Sequence, residues 1–171
     1  MSFVIEDGSG LPNANSYLSV AAADTYHVDY SGSTDWSGAD NTAKERALRL
    51  ATQYLDVRFN NRWKGVRVSQ SQALAWPRSN VTNSDGCYLS SNEIPAAIKE
   101  ATAESALRII LGDDLLGVIA APGLIASETK KIGPLEKSVT YVSGKSQVKR
   151  YPLVDGLLKQ LIDSDSKMER A

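Results

Sequence analysis

The chain has 171 residues, 42% of them hydrophobic, and a formal net charge of -1, values typical of one soluble domain with a sizeable core. This near-neutral balance excludes a protein that coats nucleic acid with its whole surface, although a local basic patch is compatible with it. The only cysteine, Cys87, and the only histidine, His27, exclude an internal disulfide and a zinc site built from Cys and His.

Three helical patterns follow a short N-terminal segment. The first, "SVAAADTYHVDY", begins with Ser19 as a helix cap and ends near Tyr30. A loop that carries Trp36 separates it from the longest pattern, residues 41–61, in which apolar residues recur at spacings of three and four. The third, residues 94–114, has a proline in its first turn and a glycine at its natural stop, which predicts a helix packed centrally in the domain.

The segments between and after these helices have a different character. Residues 62–92 show no helical period over about thirty residues, more than a compact domain usually leaves unanchored. Residues 127–152 alternate polar with β-branched or aromatic residues around Gly144, which predicts two strands joined by a turn there. Residues 153–163 form a short amphipathic helix, and residues 164–171 form a polar tail.

These elements predict a mainly α fold: a small bundle of about four helices with a long loop and a protruding β-hairpin or extended arm before the C-terminal helix. We expect a single domain with a helical body at 15–121, the arm at 122–152, the C-terminal helix at 153–163 and a flexible tail at 164–171. No apolar run of about 18 residues and no signal peptide is present, so we expect no membrane contact.

The sequence lacks the parts of common active sites. It has no G-x-S-x-G elbow, no phosphate-binding P-loop and no calcium-binding loop, and His27 lies in an amphipathic helix, where a packing or surface role is favoured. We therefore expect neither an enzyme nor a cofactor or metal.

One stretch, "RFNNRWKGVR", interleaves aromatic and cationic residues. Bases stack on aromatic rings while phosphates meet the charges, so this pattern suits single-stranded nucleic acid. The candidate residues of this site are Arg58, Phe59, Arg62, Trp63, Lys64 and Arg67. The alternative, which the sequence favours, is that Trp63 closes the core while the arginines extend to solvent.

The predicted arm concentrates positive charge. Between Pro122 and Tyr151 lie six lysines or arginines and two glutamates, a net +4 that leaves -5 for the rest of the chain. The residues expected to contact DNA or a neighbouring subunit are Lys130, Lys131, Lys145, Lys149 and Arg150. Lysines that merely protect an edge strand from aggregation are the third interpretation.

Several segments, taken in order, resemble one family of phage proteins. They are "EDGSGLPNANSYLSVAAADTY", "RALRLATQYLD", "RWKG", "QALAWPR", "IPAAIKEATAESAL" and "KKIGPLEKSVTY", and the resemblance covers roughly residues 5–162. Members are labelled DnaT-like single-stranded DNA-binding proteins. They also look like the head-tail connector, or adaptor, proteins of tailed bacteriophages, small helical proteins that form a ring beneath the portal.

The connector resemblance implies a structural virion protein at the neck, assembled in the host cytoplasm. Its partners would be the portal protein, the next tail or stopper protein, and itself in a ring of roughly twelve copies with heterologous contacts. The ring would extend the DNA channel and contact packaged DNA without specificity. We expect this function because the three tryptophans are dispersed along the chain; the alternative is a single-stranded DNA-binding replication accessory protein.

The same resemblance assigns roles to two further groups. Trp76 and Pro77 are expected to anchor the long loop on the helical body, with Arg78 hydrogen-bonded to a carboxylate or to helix-end carbonyls. Leu157, Leu158 and Leu161 of the terminal helix are expected either to pack on the body or to form a docking element.

Overall fold

The computed structural model describes residues 2–115, 125–131, 136–141 and 151–163, with the backbone alone for the second and third of these ranges. Its helices are α1 (Val20–Tyr26), α2 (Thr34–Gly38), α3 (Asn41–Arg58), α4 (Ala96–Ile110) and α5 (Pro152–Leu158). Its strands are β1 (Val66–Arg67), β2 (Arg78–Ser79), β3 (Ile125–Lys131) and β4 (Glu136–Tyr141). The predicted mainly α fold, a small helical bundle with a hairpin, is confirmed.

The chain divides into two compact units. One comprises Met1–Leu115 and Tyr151–Ala171 and holds all five helices, and the other comprises Leu116–Arg150. The second unit nearly coincides with the segment that the sequence marks as an arm.

Local signals set the helix ends. Ser19 caps α1 by accepting a hydrogen bond from the Ala22 amide at 3.1 Å, and Asp40 caps α3 by accepting one from the Ala43 amide at 2.8 Å. A π-helical turn, His27–Ser31, continues α1 to the predicted end near Tyr30. The loop predicted around Trp36 is instead the short helix α2, because Ser33 supplies a cap that accepts a hydrogen bond from the Trp36 amide.

Helices α3 and α4 form the centre of the first unit. The beginning of α3 packs with the end of α4 in one apolar cluster, and the end of α3 packs with the beginning of α4 in another, so the two helices run antiparallel. Small residues such as Ala47, Ala51 and Ala103, each at most 1% exposed, let the helices approach closely. Eight of the fifteen residues of α4 are buried, in agreement with the central position expected for this helix.

The C-terminal helix packs on its own unit. Leu158 and Leu161 are fully buried in the cluster that also holds Trp76, and Leu157 is half-buried against it. Of the two roles left open for these leucines, packing on the body is therefore the one that the structure shows. The docking role is wrong for Leu158 and Leu161, since neither side chain reaches the surface.

In the second unit, β3 and β4 form an antiparallel pair. The predicted hairpin is therefore present, but its turn at Gly144 is wrong, because the paired strands are linked by residues 132–135. Lys130 and Lys131 are the last two residues of β3. Lys145, Lys149 and Arg150 lie outside the described residues.

No helix in the described part of the chain combines the length and the apolar character that a membrane crossing requires.

Candidate nucleic-acid interface

The loop after α3 is anchored by Trp76 and Pro77, both buried. The Trp76 ring meets the Trp63 ring edge to face, with centroids 5.9 Å apart. The Trp76 amide donates to the Tyr17 hydroxyl at 3.2 Å, and that hydroxyl donates to Asp56 Oδ1 at 2.5 Å. The loop is thus tied to α3 through buried groups, which is the anchoring role expected of these two residues.

Asp56, which is half-buried, is the polar centre of this anchor. Its second carboxylate oxygen accepts a hydrogen bond from the Ala75 amide at 2.9 Å. Burial raises the pKa of Asp56, while the hydrogen bond from Tyr17 acts in the opposite direction.

Arg78 closes the loop from its other side. Its guanidinium donates to the carbonyl oxygens of Lys64 and Gly65, both at 2.7 Å, and to that of Ala75 at 3.2 Å. The expected charge-assisted hydrogen bonds are present, but they go to loop carbonyls rather than to a carboxylate or a helix end.

Gly65 is required at this closure. Its φ is +69°, and a Cβ there would lie 2.2 Å from the Ser79 carbonyl oxygen. The close approach brings β1 and β2 together as a two-residue antiparallel pair.

The predicted stacking residues lie in the core. Phe59 is 1% exposed and Trp63 is 6% exposed, and their ring centroids are 5.4 Å apart. A base therefore has no free ring face at either residue, because both rings pack against the protein. The structure supports the alternative in which Trp63 closes the core.

Most of the cations in this stretch hold the fold together. Arg58 donates to Asp155 Oδ2 at 2.8 Å, and Lys64 Nζ donates to the Gln160 carbonyl oxygen at 2.8 Å. The guanidinium of Arg62 lies over the Phe59 ring, 5.9 Å from its centroid. These side chains connect the end of α3 to the C-terminal segment and to the core.

Arg67 differs from these residues. It is exposed, and its side chain makes no hydrogen bond or ion pair with any described residue. It lines a cavity of about 310 Å³, which we call the Arg67–Arg78 cavity. The other residues of this lining are Asn60, Asn61, Trp63, Ala75 and Arg78.

The Arg67–Arg78 cavity is rich in hydrogen-bond donors. Its lining includes two arginines and two asparagines. The Arg78 guanidinium already donates to three loop carbonyls, so Arg67 is the arginine whose donors are unused by described residues. Burial is the main cause that lowers the pKa of Arg78. The nearby positive charge of Arg67 lowers it further, because two like charges repel each other. No carboxylate lines the cavity, so its chemistry matches an anion such as a phosphate.

The comparisons with known proteins bear on this chemistry. The sequence matches the model of the family described as "Putative DnaT-like ssDNA binding protein" over residues 1–171. The chain belongs to this family. No curated protein and no solved structure matches it.

Of the two labels that the sequence resemblance suggested, this match corresponds to the DnaT-like one. The head-tail connector label receives no support from it. The alternative function, single-stranded DNA binding, is therefore better supported than the adaptor function that we expected first.

In this DnaT-like chain, the sequence pattern marked the stretch that borders the Arg67–Arg78 cavity, but not all of the residues that line it. The aromatic and cationic interleaving marked Arg58 to Arg67, whereas Asn60 and Asn61 were not singled out and Arg78 was expected only to hold the loop anchor. A longer count shows that the whole stretch is basic: between Asp56 and Asp85 the chain has five lysines or arginines and no carboxylate. An acid-free run of this length is the signal that a search for aromatic platforms misses.

Among the described residues there is also no group of three or more His, Cys, Asp or Glu side chains arranged to hold a metal ion.

Proposed function

We propose that this protein binds single-stranded DNA by its phosphate backbone, with one phosphate in the Arg67–Arg78 cavity, and that it catalyses no reaction. The observation that carries the proposal is the donor-rich, carboxylate-free lining of that cavity beside an exposed arginine. Family membership supports the same ligand, since the family is described by single-stranded DNA binding.

Sequence-independent recognition follows from this mode of binding. Contacts to phosphate position a strand but carry no base information. The rings of Phe59 and Trp63 are buried, so they add no stacking at this point. We therefore expect oligonucleotides of different sequence to bind the Arg67–Arg78 cavity with similar affinity.

A concave site favours a flexible strand. One phosphate must enter between the Asn60–Asn61 turn and the two arginines, which requires a sharp local path of the backbone. Duplex DNA is stiff, with a persistence length of about 150 base pairs, and bending it over a short site costs free energy. A single strand follows such a path more easily, so we expect a preference for single strands over duplexes.

Arg67→Ala tests the proposal, with Arg46→Ala as its control. Both arginines are exposed, so the two variants lose the same charge, but Arg46 lies on α3 away from the cavity. Losing a charge-assisted hydrogen bond worth roughly 1.5–3 kcal/mol predicts binding at least tenfold weaker in Arg67→Ala. Fluorescence anisotropy of a labelled oligothymidylate, at about 50 and 200 mM salt, measures the affinity and its salt dependence.

The expected outcome is salt-dependent binding that is weakened in Arg67→Ala and nearly unchanged in Arg46→Ala. A wild-type protein with no affinity for the oligonucleotide at low salt would overturn the proposal. Equal affinities of the two variants would show that the Arg67–Arg78 cavity is not the phosphate site.

The adaptor interpretation of the sequence stays a prediction. Its ring of roughly twelve copies, its portal and neck partners and its place in the virion involve contacts with other chains. Backbone-directed binding would serve a replication accessory protein, and it would equally serve a protein that meets packaged DNA.

A further inference from the structure

A second cavity lies at the opposite end of α3. It has a volume of about 420 Å³ and lies among α1, the π-helical turn, α2 and the first turn of α3. We call it the Trp36 cavity. Its floor is buried, with Trp36, His27 and Lys44 at 1%, 2% and 7% exposure, and its rim includes Val28 at 78%. A buried floor under an open rim is the form of a site for a small group.

An ion pair occupies one wall of the Trp36 cavity. Asp24 Oδ1 accepts hydrogen bonds from Lys44 Nζ at 2.9 Å and from Trp36 Nε1 at 2.8 Å. The Lys44 ammonium has three donors and uses one of them on a described residue, and Asp24 Oδ2 accepts no hydrogen bond from one. The pair thus has spare donors and a spare acceptor close to each other.

The rest of the lining is uncharged: two buried rings, His27 and Trp36, form the floor, and Val28, Gly32, Ser33 and Ser37 complete the lining. The His27 and Trp36 ring centroids are 4.5 Å apart, and Lys44 Nζ lies 5.5 Å from the Trp36 centroid. Burial lowers the pKa of His27, which favours its neutral form. The charges of Lys44 and Asp24 cancel, and the Asp24 carboxylate would repel an anion. A phosphate therefore suits this cavity poorly, whereas a flat, neutral group with hydrogen-bonding edges suits it well.

We infer that the Trp36 cavity receives one base of the same single strand whose phosphate lies in the Arg67–Arg78 cavity; this inference rests on the proposed function. All four bases carry a donor next to an acceptor on the edge used in base pairing, and unstacked bases are recognised by hydrogen bonds to that edge. The Lys44–Asp24 pair complements this pattern. Because every base has it, the site tolerates any sequence.

The two cavities lie near opposite ends of α3: Lys44 lines one, and Asn60, two residues beyond the end of the helix, lines the other. Lys44 lies in the first turn of α3 and Arg58 at its end, so the rise along the helix places them roughly 20 Å apart. A stacked strand covers about 3.4 Å per nucleotide, so about six nucleotides span this distance, and fewer do so when the strand is extended.

The test compares two labelled oligothymidylates of equal length, one intact and one in which abasic sites replace the central bases. Both retain every phosphate, so their difference reports base contacts alone. We expect the wild-type protein to bind the intact strand about five- to tenfold more tightly, the effect of one or two net hydrogen bonds to a base. In Lys44→Met and in Asp24→Asn this difference should disappear, since each substitution removes one half of the donor–acceptor pair.

Arg67→Ala provides the matched control, because it should weaken both strands by the same factor and preserve their ratio. Lys44→Met removes a nearly buried ammonium, so its melting temperature is measured first. Asp24→Asn keeps an oxygen for Trp36 Nε1 and serves as the second variant if Lys44→Met fails to fold.

The outcomes separate the two proposals. If the wild-type protein binds both strands equally and with salt dependence, the base site is wrong while the phosphate site stands. A difference that persists in a folded Asp24→Asn variant also overturns the base site. If neither strand binds, the proposed function itself fails.

Discussion

Single residues in this protein show that a cationic or aromatic side chain in a basic stretch can serve the fold alone. Arg58, Trp63 and Trp76 all have partners inside the first unit, and the two tryptophans are nearly or fully buried. Arg67 is the exposed exception. Under the proposed function, binding therefore depends on the side chain that the core leaves unused, and the anchors contribute by fixing the loop on which it lies.

Trp76→Ala is expected to destabilise the fold. The ring is 0% exposed and packs in the larger core cluster, so its removal leaves a cavity that the anchored loop cannot fill. The expected loss is about 3–5 kcal/mol in the free energy of unfolding, measured by urea denaturation. Tyr88→Ala, at a side chain that is 77% exposed, should change it by less than about 0.5 kcal/mol. A Trp76→Ala protein as stable as the wild type would mean that Trp76 is not the loop anchor.

Among the secondary-structure elements, α3 and the C-terminal segment are held together at the basic stretch. The Lys64 amide donates to the Leu161 carbonyl oxygen at 3.0 Å, and the Asp163 amide donates to the Arg62 carbonyl oxygen at 2.7 Å. Arg58 adds an ion pair, with Nη2 2.7 Å from Asp155 Oδ1. The last described residues of the chain therefore support the stretch that leads into the Arg67–Arg78 cavity.

Asp155→Asn tests this support. The Arg58 side chain is only 15% exposed, so losing its anionic partner should cost roughly 1–3 kcal/mol of unfolding free energy. Glu45→Gln is the matched control, because it breaks the more exposed Arg49–Glu45 pair within α3, which is worth about 0.3–0.5 kcal/mol. Thermal unfolding of both variants measures the difference. Equal small losses would show that the Arg58–Asp155 pair adds no more than a surface pair.

Four of the five helices in the described part of the chain could be predicted from the sequence because their signals are local; the short helix α2 was expected to be a loop. Ser19 and Asp40 cap the helices that follow them, and periodic apolar residues mark the buried faces. The hairpin turn could not be placed, because residues 132–135 include Gly133 and Pro134 and signal a turn as well as Gly144 does. The alternation of polar with β-branched or aromatic residues continues past both positions, so it does not fix which residues of the two strands pair.

The Arg67–Arg78 cavity was beyond prediction for a different reason. Its residues come from the end of α3 and from both ends of a loop that returns on itself, and their proximity depends on Gly65 and on the three carbonyls that Arg78 binds. The Trp36 cavity likewise needs Asp24, Trp36 and Lys44 from three helices. Sequence spacing does not reveal which of these residues meet in space. A count of charged residues does reveal that the loop is positively charged.

For the molecule as a whole, charge is divided between the two units. The segment between Pro122 and Tyr151 carries a net +4 in a chain of net -1. In the β3–β4 pair, Lys130 lies directly opposite Lys137, and two like charges at facing positions destabilise a hairpin. An anionic partner would relieve that repulsion. Single-stranded DNA is the partner that the proposed function supplies.

We therefore expect the basic segment to add phosphate contacts to those of the Arg67–Arg78 cavity. A variant with glutamine at all five of its candidate positions should bind oligothymidylate more weakly and with a shallower salt dependence. The positions are Lys130, Lys131, Lys145, Lys149 and Arg150. Each lost phosphate contact should reduce the slope of log affinity against log salt by about 0.7. Anisotropy titrations over a series of salt concentrations measure that slope.

Glutamine at Arg46, Lys99 and Lys159, three exposed cations of the first unit, provides the control and should leave the slope nearly unchanged. The slope separates contact from general attraction, because removing charge far from the strand lowers affinity slightly without releasing fewer counterions. If the five-residue variant keeps the wild-type slope, its cations do not touch DNA. Contact with a neighbouring subunit, or protection of a strand edge, then becomes the role that explains them.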